Sequence, residues 1–177
     1  KHKFYKGFIE LSYLHPYYFP PNPSSLEIIG EAPDSRFVLM RFVGWDAMHD
    51  VGKKGFDFAS KILVVKEISK IMNVYISSER DLPEELEPYK IKIPPEKIHD
   101  ILYYSQMLIG DSQTMTTEAA LLGTPAIRCN SFVGENDMGN FIELEHDYGL
   151  IYNFSDSKAA IEKVLALLKE PRLKEFW

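Results

Sequence analysis

The sequence predicts an α/β domain, a doubly wound parallel sheet of about six strands with helices on both faces. Two observations carry this. From residue 37 onward, short apolar runs alternate with segments of helical period, the pattern of strands joined by crossover helices. The 177-residue chain, 45% hydrophobic and 26% charged, also has the length and composition of one soluble domain with a well-buried core.

In chain order, residues 1–36 stand apart from the domain that 37–177 form. Pro16, Pro20, Pro21, Pro23 and Pro33 interrupt any regular element there. Phe4, Tyr5, Phe8, Tyr13, Tyr17, Tyr18 and Phe19 are too many aromatics to leave in water, so the segment is expected to pack on the domain. Within it, Asn22 as N-cap, Pro23 in the first turn and Gly30 at the end predict a short helix. Phe37–Val43 reads as the first strand, with Arg41 near its end. The loop 42–56 follows, with Gly44, Gly52, Gly55, Lys53 and Lys54 making it mobile and basic. Asp57–Met72 predicts a helix turning Phe58, Ile62, Val65, Ile68 and Met72 inward.

Asn73–Ser77 is the next strand, and a loop rich in Pro and Glu runs through Pro88. Lys90–Ile93 reads as a short strand, and Pro95–Tyr104 as a helix using Ile98, Ile101 and Leu102. The apolar run Met107-Leu108-Ile109 is a buried strand. After it, Asp111 and Ser112 cap a helix with Met115, Ala119 and Leu122 on its apolar face, and Gly123 and Pro125 end that helix. Strands around Ala126–Arg128 and Gly149–Asn153 follow. Asp156 caps a last helix carrying Ile161, Val164, Leu165 and Leu168.

Chemistry concentrates in residues 110–127, GDSQTMTTEAALLGTPAI. A helix N-terminus presents free N–H groups and a positive dipole end, and both suit a phosphate. Ser112, Gln113 and Thr114 crowd that terminus. Glu118 lies one turn in on the side of Thr114, where a carboxylate offers two acceptors spaced for a sugar diol. Plain capping explains Asp111, Ser112 and Thr114 equally well. Arg41 heads the adjoining loop and is suited either to pairing a diphosphate bidentately or to an ordinary surface ion pair. The loop is no P-loop, since it lacks Gly-Lys-Ser/Thr. His49-Asp50 and His146-Asp147 lack further ligands at helical spacing, so no metal site is expected. Cys129 reads as a small buried hydrophobe.

The 110–127 segment resembles the nucleotide-binding signature of UDP-N-acetylglucosamine 2-epimerases, which runs Asp-Ser-Gly-Gly-x-Gln-Glu-Glu-Ala and then Gly-x-Pro. Asp111, Ser112, Glu118, Ala119, Gly123 and Pro125 match it. Gln113 and Thr114 replace the glycine pair, and Thr116 and Thr117 replace Gln and Glu. The resemblance implies a Rossmann-like domain, one half of a GT-B fold. It implies ribose binding by Glu118 and diphosphate binding by Ser112 and its neighbours.

A broader resemblance is to the predicted glycosyltransferases of the domain of unknown function 354 family. It rests on YKGFIELSYLHPYYFPP at 5–21, the strand ending in Arg41, the 110–127 segment and GNFIELEHDYGLIYNF at 139–154. This implies the C-terminal, donor-binding half of such an enzyme, with residues 1–36 as the interdomain crossing and the N-terminal half missing. A first residue of Lys fits a cut or processed terminus. The implied ligand is a nucleotide sugar, a UDP-sugar first, held by Arg41, Ser112, Gln113, Thr114 and Glu118, with no further cofactor. The implied setting is polysaccharide biosynthesis. In GT-B enzymes the loop matching 130–141, with Glu135, Asn136 and Asp137, touches the donor sugar. The general base is expected from the absent half, so this chain alone is expected to bind nucleotide without turning it over.

Composition narrows the partners. A formal net charge of −6 argues against nucleic acid. A single cysteine excludes an intrachain disulfide framework and fits the cytoplasm. No apolar run reaches the length of a membrane span. Three readings stay open: a glycosyltransferase donor half, a sugar-nucleotide epimerase half, and a non-catalytic nucleotide-binding or interaction module. The replaced glycine and glutamate positions favour the first over the second.

Overall fold

The computed structural model describes residues 6–44, 54–135 and 137–177. They form a parallel sheet of five strands: β1 (Phe37–Phe42), β2 (Asn73–Ser78), β3 (Met107–Gly110), β4 (Ala126–Cys129) and β5 (Ile151–Phe154). The order is β2-β1-β3-β4-β5, parallel throughout. β1 lies inside the sheet, between β2 and β3, and reads Phe37-Val38-Leu39-Met40, all fully buried, because a strand covered on both faces has no polar side.

The sixth expected strand, Lys90–Ile93, reduces to one rung. Lys90 bridges Ile76 on the outer side of β2, and the Ile91 N–H donates to the Ile76 carbonyl at 3.0 Å. Pro94 and Pro95 follow at once and bring no N–H for a further rung.

Helices sort by face. α2 (Phe58–Ile68) and α6 (Ser157–Leu167) pack against each other on one side. There Val64, Val65, Ile68, Ile161 and Val164 meet Val38, Met40, Ile109 and Ile127. α3 (Ile98–Tyr104) and α4 (Gln113–Leu121) cover the other, where Ile101, Leu102, Ala119 and Ala120 meet Phe37, Leu39 and Leu108. Alternate residues of each strand thus feed opposite cores. α2 is rotated from expectation: Phe58 is exposed, and Val64 takes a place inside. Asp57 is its N-cap, accepting from the Ser60 N–H at 2.9 Å. Asp156 caps α6 in the same way, from Ala159 at 2.8 Å. Between β4 and β5, a short α5 (Gly139–Ile142) runs into a π-helical turn, Glu143–Asp147.

The N-terminal segment lies along the α3/α4 face. It contains α1 (Leu11–Leu14) and a 3₁₀ helix, Pro23–Ile29, with Asn22 as N-cap and Gly30 left-handed at φ 73°. Leu26 is fully buried in the second core. Asp100 of α3 accepts from the Asn22 N–H at 2.8 Å and from the Ser25 hydroxyl at 2.6 Å. Phe4 and Tyr5 lie outside the described residues. Among the described residues, no helix is long and apolar enough to cross a membrane.

At the C-terminal end, α7 (Leu173–Phe176) brings Lys174 against the α3–β3 turn, where its Nζ donates to the Ser105 carbonyl at 3.0 Å. Burial pushes this ammonium from its ordinary 10.5 down to about 8.

Two expectations follow. Gly110 closes β3 directly beside β1, and a Cβ there would strike the Arg41 carbonyl. Gly110→Ala should therefore cost roughly 3 kcal/mol, read as a lowered denaturant midpoint. Lys174 is deprotonated earlier in the folded chain than in the unfolded one. Between its folded and unfolded pKa values the unfolded state binds more protons, so stability rises with pH there. The melting temperature should climb from pH 7.5 toward 9.5 and lose that climb in Lys174→Met.

Candidate functional site

In a sheet of this order the connections leave β1 and β3 in opposite directions, which opens a crevice at the carboxyl ends of those two strands. A cleft of about 680 Å³ sits there. Arg41 and Val43 come from the end of β1, Ser77 and Glu79 from the end of β2, and Asp111 to Glu118 from the β3–α4 turn and α4. Ile93, Pro95 and Ile98 add an apolar wall. All five residues expected from the sequence, Arg41, Ser112, Gln113, Thr114 and Glu118, line this one cleft.

Local chemistry explains the shape of the β3–α4 turn. Ser112 is the N-cap of α4, its Oγ accepting from the Met115 N–H at 3.3 Å. The Thr116 hydroxyl donates back to the Ser112 carbonyl at 2.6 Å. The N–H groups of Gln113 and Thr114, the first of the helix, have no intrahelical partner, and both residues line the cleft. Asp111 does not share the capping. It is fully buried, and its Oδ1 accepts from the Val43 N–H at 2.9 Å, which ties the loop after β1 to the loop after β3. Its own N–H donates to the Arg41 carbonyl at 3.2 Å, and its carbonyl accepts from Asn130 Nδ2 at 3.1 Å. Gly55 packs so closely on this carboxylate that a Cβ would collide with it.

Glu118 is held from two sides. Its side chain is 8% exposed. Its Oε1 accepts from the Tyr13 hydroxyl at 2.9 Å and lies 3.0 Å from His99 Nε2, the nitrogen that must carry a proton to meet a carboxylate. Burial and the Glu118 carboxylate push the Tyr13 hydroxyl well above its ordinary value, so it remains a donor. The His99 ring in turn sits between Tyr13 and Phe19, with centroids 5.7 and 5.9 Å away. Arg41 is also engaged. Its Nη1 donates to Ser77 Oγ at 2.8 Å and its Nη2 to Glu79 Oε1 at 2.5 Å, while Glu79 Oε2 accepts from the Gly44 N–H. The Nε of Arg41 is buried without a partner.

Tyr13, His99 and Glu79 are the residues that sequence reasoning missed. Tyr13 meets Glu118 across 105 residues and His99 does so across 19, and no local pattern encodes either pairing. His99 alone carried a signal, as a polar residue on a helix otherwise read for its apolar face.

The loop after β4 is built around a buried charge. Arg128 is fully buried, stacked 3.5 Å above the Phe141 ring, with its Nε donating to Asn153 Oδ1 at 2.7 Å and its Nη2 paired with Asp137. Burial lowers the guanidinium pKa, and Asp137 opposes that shift. Asp137, expected beside a donor sugar, is therefore turned inward. Cys129 is buried and its thiol is pushed up to about 11 by that burial. His146 and Asp147 lie on the π-helical turn. Lys54 lies apart from the cleft, its N–H donating to Ser131 Oγ at 2.9 Å. Gly52, Lys53, His49, Asp50 and Asn136 lie outside the described residues.

Asp137→Ala would leave the buried Arg128 charge without its ion-pair partner, with only the field of Glu145 opposing its burial, at a cost of roughly 3 kcal/mol. Replacing both partners, as Arg128→Met with Asp137→Leu, should recover most of that loss in a denaturant titration.

Comparison with known proteins agrees with this architecture. A protein from Listeria monocytogenes assigned as a UDP-N-acetylglucosamine 2-epimerase superposes with a TM-score of 0.57 at 17% identity, over 85% of this chain and 40% of that one. The UDP-N-acetylglucosamine 2-epimerase of Neisseria meningitidis, solved with UDP-N-acetylglucosamine bound, gives 0.56 at 16% identity, over 86% and 41%. The wall teichoic acid polymerase TagF gives 0.53 at 10% identity, over 88% and 38%. The chain thus spans about two fifths of the length of these structures, and its fold is that of one half of a GT-B protein. No match is found among curated proteins. Residues 2–176 match the profile of the family described as protein of unknown function DUF354, and the chain belongs to that family.

Proposed function

We propose that this chain is the donor half of a GT-B glycosyltransferase, binding a nucleotide sugar in the cleft between the ends of β1 and β3. One observation carries the reading: the α4 N-terminus, Arg41 and Glu118 converge on a single cleft at the switch point of the sheet. The diphosphate would lie at the N–H groups of Gln113 and Thr114, beside the Ser112 and Thr114 hydroxyls. The ribose diol would meet Glu118, and the base would rest on the apolar wall of Ile93, Pro95 and Ile98. A UDP-sugar is the first candidate.

As the nucleoside diphosphate departs, charge builds on its outer phosphate. Fixed N–H groups and Arg41 then stabilise the transition state more than the ground state. For Arg41 this requires exchanging Glu79 for phosphate, with Ser77 still holding its other nitrogen. Residues 1–36 would serve as the crossing to a second half that brings the acceptor and the base that deprotonates it. The isolated chain binds but does not turn over. The replaced glycines, Gln113 and Thr114, with Thr116 and Thr117, incline the reading to transfer rather than epimerisation. The single cysteine, Cys129, suits a reducing cytoplasmic setting.

A second reading has its own support. Glu118 and Arg41 already have protein partners, as they would in a non-catalytic module whose cleft is only structural. Thermal shifts with UDP, GDP, CMP and their sugar conjugates separate the two. A nucleotide at about a hundred times its dissociation constant should add roughly 2.7 kcal/mol of stability. Glu118→Gln, which keeps the shape of the side chain, should lose most of that shift. No shift with any nucleotide would leave the structural module standing.

A further inference from the structure

Resting on the nucleotide reading above, we propose that Tyr13 and His99 are positioning residues for Glu118, holding Oε1 so that Oε2 is presented to a vicinal diol, and that the N-terminal segment and the ligand thereby stabilise each other's seating. Both protein donors end on the same oxygen: the Tyr13 hydroxyl at 2.9 Å and His99 Nε2 at 3.0 Å meet Oε1. No hydrogen bond from the described residues reaches Oε2, and Oε2 is not among the buried atoms that lack a partner. Oε2 therefore keeps some exposure, on a side chain that lines the cleft.

Such a carboxylate has lost its rotational freedom before any ligand arrives, and preorganisation of this kind is what lets one oxygen discriminate. The donors come from two elements. His99 stands on α3, anchored in the second core by Ile101 and Leu102. Tyr13 belongs to α1, which the buried Leu14 also anchors, while Tyr17 and Tyr18, just beyond it, are 82% and 67% exposed. The segment also supplies Phe19 edge-on to His99 at 5.9 Å, so it fixes the ring as well as the carboxylate. A diol that draws Glu118 toward one rotamer favours the state in which Tyr13 is bound, and by linkage a seated Tyr13 favours the diol.

Tyr13→Phe removes one hydroxyl and keeps the ring, so the fold is retained. Affinities of UDP and its 2′,3′-dideoxy analogue are compared in wild type, Tyr13→Phe, His99→Ala and His99→Gln, the last keeping a donor. Wild type should prefer UDP, and Tyr13→Phe and His99→Ala should lower that preference by about tenfold, the worth of a hydrogen bond to a charged group. The dideoxy analogue should bind all four alike, and His99→Gln should recover part of the preference. Hydrogen exchange supplies the second readout. UDP should slow exchange over residues 11–19 in wild type and lose that effect in Tyr13→Phe.

A full preference for UDP in Tyr13→Phe, or exchange over 11–19 that ignores UDP, would overturn the positioning role while leaving the nucleotide reading intact. Failure of wild type to bind any of UDP, GDP and CMP would show first in the unmutated chain. It would remove the nucleotide reading, and this proposal with it.

Discussion

Asp111 is the point at which this structure is tied. A fully buried carboxylate is costly unless hydrogen bonds replace the water it has lost, and here they come from the backbone of another strand end. The bond from Val43 fixes where the chain goes after β1, and the Asp111 N–H to the Arg41 carbonyl fixes β3 beside it. Asn130, after β4, reaches back to the Asp111 carbonyl. Gly55 approaches the same carboxylate more closely than any side chain would permit. Three loops at the carboxyl edge of the sheet, those after β1, β3 and β4, are thus referred to one residue. The cleft inherits its shape from that arrangement, because Ser112 begins α4 at the next position.

The site built on this anchor is electrically balanced rather than basic. Arg41 faces Glu79, and the positive end of α4 stands near Asp111 and Glu118. Under the proposed function, attraction for an anion would depend on short-range donors in fixed positions, with little long-range steering in a chain of net charge −6. Selection is then a matter of shape and hydrogen-bond placement. A cleft of this kind suits a ligand whose charge is confined to one end and whose other end is a flat ring against Ile93, Pro95 and Ile98.

Much of this was legible in the sequence, and the residues show why. Apolar runs such as Phe37–Met40 and Met107–Ile109 admit few readings in a chain that alternates with capped helices. Asn22, Asp57, Ser112 and Asp156 each cap where a short-range rule puts a cap. The convergence of Ser112, Gln113, Thr114 and Glu118 is local too, being the cap and first two turns of one helix. What escaped was set by tertiary packing. The orientation of α2, with Phe58 outside, depends on where α6 lies. Asp137 looks like a solvated loop acid until Arg128 is seen beneath it. The short strand at Lys90 failed because strand propensity says nothing about whether a partner edge continues past two prolines.

The margins of the sheet have a consequence for self-association. On the outer side of β2, the Ile76 carbonyl is taken by the Ile91 N–H. On the outer side of β5, the Asn153 N–H is taken by Glu145 Oε1 at 2.9 Å, and Trp177 Nε1 takes the Leu150 carbonyl just before the strand. An incoming strand on either side would have to displace bonds already made. Glu145 also sets a carboxylate, and so a charge, along the β5 margin. Such blunted margins oppose the edge-to-edge growth that turns exposed strands into fibrils, and they do so without closing the sheet into a barrel.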